Sequence, residues 1–125
     1  MRKILFRGKS LDNRKWESGY LLENQGRTFI YQATNDNGRI SVAAVEVDPA
    51  TVGQYTGLKD KNGKKVYEAD ILTVTFRNMG VVEWRDGGFV VNFGDMGVFE
   101  LTHCFGYTYQ MCITGNIHDN ADLIK

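Results

Sequence analysis

The last quarter of the chain holds the residues with the most reactive side chains, two histidines and two cysteines: His103, Cys104, Cys112 and His118. Thiolate and imidazole groups are the usual ligands of zinc, and a cysteine beside a histidine can act as a nucleophile. The spacing matches no common zinc pattern, because the sequence contains no Cys-x-x-Cys pair. Cys-His catalysis also needs a third, orienting group, which the sequence does not place. We therefore expect no metal, no cofactor and no catalytic residue, and we expect unpaired thiols.

Two carboxylates, Glu68 and Asp70, come directly before the apolar residues Ile71 and Leu72. Two carboxylates held close together can share acid and base roles, because each shifts the pKa of the other. No nucleophile or base lies near them in the sequence. Acidic side chains at a turn also accept backbone N–H groups and keep the turn closed. The structural role is the one we expect.

Basic and aromatic side chains surround the Asn62-Gly63 turn, and a second basic group lies at the N-terminus. Lysines beside tyrosines are typical of surfaces that bind single-stranded nucleic acid, although a solvated hairpin end accounts for the same residues. The candidate partner-binding residues are Arg2, Lys3, Arg7, Tyr55, Lys59, Lys61, Lys64, Lys65 and Tyr67.

The net charge of zero removes the overall positive field on which non-specific nucleic-acid binding relies. The charges are nevertheless unevenly distributed. The first 15 residues carry six basic side chains and one acidic one, whereas the stretch from Glu83 to the end carries six acidic and two basic ones. We expect the two charged ends to be solvated faces or neighbours in the fold. The alternative is a basic edge that meets an acidic edge of a second subunit, as in a homo-oligomer, or an anionic partner.

Short segments rich in Val, Ile, Phe, Tyr and Thr alternate with glycine-rich turns, a pattern that predicts a mainly β fold. We expect short antiparallel strands and hairpins, partly barrel-like, with at most short helical turns near Pro49 and at the C-terminus. The predicted strands are Ile4–Arg7, Trp16–Leu22, Thr28–Tyr31, Arg39–Val47, Ile71–Phe76, Val81–Arg85, Phe89–Phe93, Val98–Leu101 and Tyr109–Ile117.

Three dipeptides, Asn37-Gly38, Asn62-Gly63 and Asp86-Gly87, predict two-residue hairpin turns in which both residues have a positive φ. The clearest hairpin is the one around Asp86-Gly87, since apolar and polar side chains nearly alternate on both arms. In that hairpin we expect Trp84 to pack in the core.

A chain of 125 residues is the usual size of one domain, and we expect a single domain over residues 1–125. A looser division into residues 1–47 and 48–125 is the alternative. Only three consecutive apolar residues follow the basic start, and no apolar run approaches the ~20 residues of a membrane span. These features favour a cytoplasmic protein that does not act in a membrane.

The central block from Thr51 to Ile71, which reads TVGQYTGLKDKNGKKVYEADI, resembles the signature segment of the YopX family of phage and prophage proteins. The likeness extends over nearly the whole chain, through Phe6-Arg7-Gly8, Trp16, Gly19, Gly80-Val81-Val82-Glu83-Trp84, Gly115-Asn116-Ile117, Asp119-Asn120 and Leu123. One position departs from the family pattern, since Ala69 stands where glycine is usual. We expect an ordinary bend there, because alanine in a left-handed conformation costs about 1 kcal/mol.

The resemblance implies a phage or prophage accessory protein and carries no reaction, cofactor or catalytic residue. We therefore expect a non-enzymatic module that binds a host or phage protein. The alternative is a nucleic-acid-binding module that uses the basic N-terminal segment and the lysine-rich hairpin tip.

Overall fold

The computed structural model describes residues 3–75, 78–101 and 111–124 of the chain. Within them the chain is mostly strand, and the helical segments are short 3₁₀ turns at Pro49–Thr51, Gly94–Met96 and Ala121–Ile124. The mainly β prediction and the two predicted helical turns are confirmed. The side chain of Asp48 caps the first turn by accepting the backbone N–H of Ala50 at 3.0 Å.

Eleven strands are named in the described residues. They are β1 (Phe6–Lys9), β2 (Trp16–Asn24), β3 (Arg27–Asp36), β4 (Arg39–Glu46), β5 (Gly53–Lys59), β6 (Lys65–Tyr67), β7 (Asp70–Thr75), β8 (Asn78–Arg85), β9 (Gly88–Asn92), β10 (Val98–Glu100) and β11 (Cys112–Asn116).

The strands pair antiparallel in two sheets, in the orders β4-β3-β2-β1-β5-β6 and β10-β9-β8-β7-β11. Among the described strands neither order closes on itself, so the expectation of a partly barrel-like arrangement is wrong. The chain groups into two compact units, Met1–Tyr55 and Thr56–Lys125. The division falls inside β5.

The two strands that the sequence pattern missed, β5 and β6, lie in the block that resembles the family signature. Their hairpin differs from the prediction, because Gly63 has a positive φ (80°) and Asn62 does not. The turn instead spans Asp60 to Gly63, where the N–H of Gly63 donates to the carbonyl of Asp60 at 3.0 Å. The predicted two-residue turn at Asn62-Gly63 is therefore wrong. At Asn37-Gly38 and Asp86-Gly87 both residues do have a positive φ, and those predictions are confirmed.

The first unit is built on β1 to β4 and the start of β5. Ile30 in β3 and Val47 after β4 are fully buried on one side of its sheet. The sheet face is set by alternation, so Ile30 and its β4 partner Val45 point to the same side. The other face of β2, β3 and β4 carries the side chains described below.

The second unit has its own apolar core, formed by Val66, Leu72, Val82, Val91, Leu101 and Met111. Gly80 in β8 makes this packing possible. A Cβ atom at that position would lie 2.5 Å from Cγ1 of Val91, so a larger residue would force β8 and its neighbour apart.

Trp84 is not in the core, contrary to prediction. Its side chain is 52% exposed and meets the ring of Phe89 edge-on, with ring centroids 4.8 Å apart. Trp84 does share a sheet face with the buried Val82, as the alternation predicts. The core ends before the strand does, and Trp84 lies beyond it.

Candidate functional site

The lysine-rich turn between β5 and β6 is held by the buried carboxylate of Asp60. Its Oδ1 accepts the backbone N–H groups of Asn62 and Lys64, both at 2.9 Å. Its Oδ2 accepts the N–H of Ile113 in β11 at 3.0 Å. In addition, the N–H of Lys61 donates to the carbonyl of Met111 at 3.0 Å. These bonds fix the turn against β11.

The pKa of Asp60 is lowered by this arrangement. Burial by itself would raise the pKa, because it disfavours the charged form. The hydrogen bonds from the N–H groups of Ile113, Lys64 and Asn62, together with the positive charge of Lys64, outweigh burial. The carboxylate therefore stays ionised and serves as a structural acceptor.

The four predicted lysines, Lys59, Lys61, Lys64 and Lys65, are all exposed around this turn. The two tyrosines proposed beside them are not available in the same way, because Tyr55 and Tyr67 are buried. Their rings cannot stack on nucleic-acid bases while the fold is intact. The turn thus presents charge without an aromatic platform from these two residues.

The N-terminal basic residues are on the first unit and differ among themselves. Arg2 lies outside the described residues, and Lys3 is exposed. Arg7 is half-buried with its guanidinium 4.6 Å from the ring centroid of Trp16, and Lys9 places its ammonium group 5.6 Å from the same ring. Cation–π contacts of this kind hold Arg7 against its own sheet.

Of the two acids Glu68 and Asp70, Asp70 has the structural role that was expected for the pair. Asp70 is buried, and its Oδ2 accepts the backbone N–H of Tyr67 at 2.8 Å. Between the two acids Ala69 has a φ of 74°, in the left-handed region, so the expectation of an ordinary bend is wrong. The N–H of Ala69 bonds to the carbonyl of Val82, and its carbonyl accepts the N–H of Ile117. These two bonds impose the strained conformation.

The closing block is a hydrogen-bonded turn around Asn116. Its side-chain oxygen accepts the N–H groups of His118 and Asp119, at 3.0 and 2.9 Å. The oxygen of Asn120 accepts the N–H of Asn116 at 3.2 Å, and a Cβ atom at Gly115 would lie 2.5 Å from that same oxygen. The glycine and the two asparagines fit one another closely, so they read as one structural unit.

The cysteines and histidines form no metal cluster in the part of the chain that the structure describes. His103 and Cys104 lie outside the described residues. Cys112 carries a free thiol, half-buried, with its Sγ 3.6 Å from Nδ2 of Asn62. The expectation that Cys104 also carries an unpaired thiol stays a prediction.

The sheet of the first unit carries exposed apolar side chains on one face of β2, β3 and β4. Opposite residues in antiparallel strands share a face, so the pairs Tyr20–Tyr31, Leu22–Phe29 and Ala33–Val42 lie on one side of β2, β3 and β4. We call this side the outer face, formed by Tyr20, Leu22, Phe29, Tyr31, Ala33, Ile40, Val42 and Ala44.

Several outer-face side chains are open to solvent: Ile40 is 70% exposed, Val42 66% and Tyr20 61%. At one end of the face Arg27 forms a two-pronged salt bridge with Glu46, with N···O distances of 3.1 and 2.9 Å. The hydrogen bonds from Arg27 lower the pKa of Glu46. The sequence predicted strands at Trp16–Leu22 and Arg39–Val47, but a strand pattern does not say which face of the sheet is left uncovered.

A model of the YopX family, described as YopX protein, matches residues 5–125, essentially the whole chain. The chain belongs to the YopX family. The crystal structure of protein EF1440 from Enterococcus faecalis is similar over 100% of both chains, with a TM-score of 0.69 and 25% sequence identity. A search of curated proteins gave no match. The resemblance drawn from the central block is thereby confirmed. In the residues that the structure describes, no helix is long and apolar enough to cross a membrane.

Proposed function

We propose that this YopX-family protein is a non-enzymatic interaction module that binds a host or phage protein in the cytoplasm of a cell carrying a phage or prophage. The observation that carries the proposal is the outer face of β2, β3 and β4. Contiguous exposed apolar side chains are typical of protein-binding surfaces.

The composition of the outer face favours a protein partner over nucleic acid. Its core is aromatic and aliphatic, and tyrosine is among the residues enriched at protein interfaces. Arg27, the basic side chain at its margin, is already bound to Glu46. Phosphate contacts need free cations, and this face offers a poor set of them.

The polar side chains in the segments that resemble the YopX family support a module without catalysis, because these side chains hold turns. Asp60, Asp70 and Asn116 each accept backbone N–H groups. Such side chains stabilise backbone conformations and leave little capacity for reacting with a substrate.

The test is a comparison of two variants in capture from induced prophage-carrying cells. Tyr20→Glu places a charge on the outer face, at an exposed position of β2. Thr34→Glu places the same charge on the opposite face of β3, where the side chain is also exposed. A partner that binds wild type and Thr34→Glu but is lost with Tyr20→Glu supports the proposal. Equal capture by both variants contradicts it.

The lysine-rich turn favours a second candidate function, binding to nucleic acid. Four exposed lysines on a turn fixed by Asp60 could contact phosphates without any aromatic stacking. Changing all four to Gln should then abolish a mobility shift with single-stranded nucleic acid, while the melting temperature holds. Wild-type binding must also weaken as salt rises. If both results are obtained and capture of a protein partner fails, the second candidate replaces the first.

A further inference from the structure

We propose that β4 pairs antiparallel with β4 of a second copy of the chain, with Val42 opposite the partner's Val42, so that the protein forms a two-fold dimer. The inference rests on the proposed function, because it names a second copy of the chain as one protein that the β3–β4 hairpin of this interaction module binds.

The first observation is that β4 is a long, apolar edge strand. It is the first strand in its sheet order, and its eight residues read RISVAAVE. The stretch from Ile40 to Val45 carries no charge and no proline. Natural edge strands are usually shortened, charged or covered, because an open row of N–H and C=O groups pairs with other strands. An uncovered apolar edge of this length therefore indicates a binding edge.

The hairpin turn decides which backbone groups face outwards. In a two-residue hairpin the closing pair, here Asp36 and Arg39, exchanges hydrogen bonds. Alternate residues from Arg39 onwards therefore bond to β3. The N–H and C=O groups of Ile40, Val42 and Ala44 point away from the sheet.

The loop after β1 covers one end of this edge. The carbonyl of Glu46, the next outward residue, accepts the N–H of Leu11 at 3.0 Å. The open part of the edge thus runs from Ile40 to Ala44, and its centre is Val42. A two-fold axis through this centre uses every outward residue of the open stretch.

The resulting register satisfies both strands in the same way. Val42 lies opposite the partner's Val42, and Ile40 lies opposite the partner's Ala44. Each of these pairs can exchange two hydrogen bonds, because all the residues concerned point outwards. Opposite residues also share a face, so the outer faces of both copies continue into each other.

Charge complementarity favours a second copy as the occupant. In this register Arg39 is opposite the partner's Val45. Val45 lines an open cleft of about 580 Å³ together with the acidic side chains of Asp12 and Glu17. Glu46 also lines this cleft but is bound to Arg27. The Arg39 side chain of each copy would enter the acidic cleft of the other. The contact is made twice by symmetry, and the surfaces close as a dimer.

Sedimentation analysis of charge variants at Val42 tests both the dimer and its register. Wild type is expected to be a dimer. Val42→Lys and Val42→Asp each place like charges opposite one another, so self-association should weaken by at least about tenfold. An equimolar mixture of the two variants should recover the dimer, because a lysine then faces an aspartate.

Ser41→Lys is the matched control. Ser41 is exposed on the opposite face and lies opposite the partner's Ala43, so its lysines do not face each other, and the dimer should persist. A wild-type monomer at high protein concentration overturns the dimer. A mixture of Val42→Lys and Val42→Asp that stays monomeric overturns the register. Because Val42 is largely exposed, both variants should keep the wild-type circular dichroism spectrum.

The outcome is separable from that of the proposed function. Tyr20 lies on β2, with β3 between it and the β4 edge, so Tyr20→Glu should lose capture of another protein and keep the dimer. A wild-type monomer that still captures a protein partner overturns this inference alone. A wild-type dimer that captures no partner overturns the proposed function alone.

Discussion

The carboxylate of Asp60 in the β5–β6 turn accepts the backbone N–H of Ile113 in β11 at 3.0 Å, across 53 residues of sequence. The same side chain closes its own turn through Asn62 and Lys64. One buried acid therefore joins a local turn to a distant strand. The stability of the second unit should therefore depend on the charge of the Asp60 side chain and on its number of acceptor atoms.

Replacing Asp60 by Asn should destabilise the protein by about 1–3 kcal/mol. The amide keeps one oxygen, but its NH₂ group would face a backbone donor where the carboxylate accepted a hydrogen bond. Urea unfolding at pH 7 measures the change. Asp86→Asn, in the exposed turn between β8 and β9, is the control and should change the free energy of unfolding little.

The pH dependence of stability should also involve Asp60. Its pKa in the folded state lies below the reference value of 3.8, so its contribution is complete above that value and is lost as the pH falls through the folded pKa. The wild-type free energy of unfolding should therefore fall more steeply below about pH 4 than that of Asp60→Asn. Parallel pH profiles for the two proteins would contradict this role.

Ala69→Gly should stabilise the protein by about 0.5–1 kcal/mol. Alanine at a φ of 74° is strained by about 1–2 kcal/mol, and glycine removes this strain at the cost of greater freedom in the unfolded chain. Thermal unfolding should show a higher melting temperature. Ala33→Gly, in a strand position without a positive φ, should have the opposite sign. A lower melting temperature for Ala69→Gly would show that the alanine side chain contributes more than its strain.

The sequence predicted strands well where apolar and polar residues nearly alternate, as in β8 and β9. It missed β5 and β6, where glycine, lysine and threonine interrupt the pattern and the pairing depends on Asp60 and other distant partners. The left-handed φ of Ala69 was not predicted for the same reason, because it depends on backbone hydrogen bonds to the distant residues Val82 and Ile117. The outer face could not be assigned either. Whether Ile40 and Val42 are covered depends on which elements lie over the sheet, and that is a tertiary property.

Trp84→Ala should cost about 1–2 kcal/mol, less than the 3–5 kcal/mol typical of a buried tryptophan. The side chain is half-exposed, and its main contact is the edge-on ring of Phe89. Val82→Ala provides the comparison, because Val82 shares the face and is fully buried. Chemical denaturation of the two variants should give at least as large a loss for the smaller residue. A loss near 4 kcal/mol for Trp84→Ala alone would place the indole in the core.

Gly19→Ala and Gly88→Ala should have effects of opposite sign, although both change a glycine in a strand. A Cβ atom at Gly19 would lie 2.0 Å from the backbone oxygen of Tyr31, so β2 and β3 must move apart, at a cost of about 2–4 kcal/mol. At Gly88 nothing lies within 4 Å of the added atom, and the residue does not have a positive φ. Alanine there should gain about 0.5–1 kcal/mol, because it restricts the unfolded chain without a clash.

Because β2 carries Tyr20, the Gly19 variant should also disturb the outer face, and capture of a partner should weaken together with the melting temperature. If Gly19→Ala melts like wild type, the close approach of β2 to Tyr31 is not rigid, and the outer face must be formed by strands that can separate.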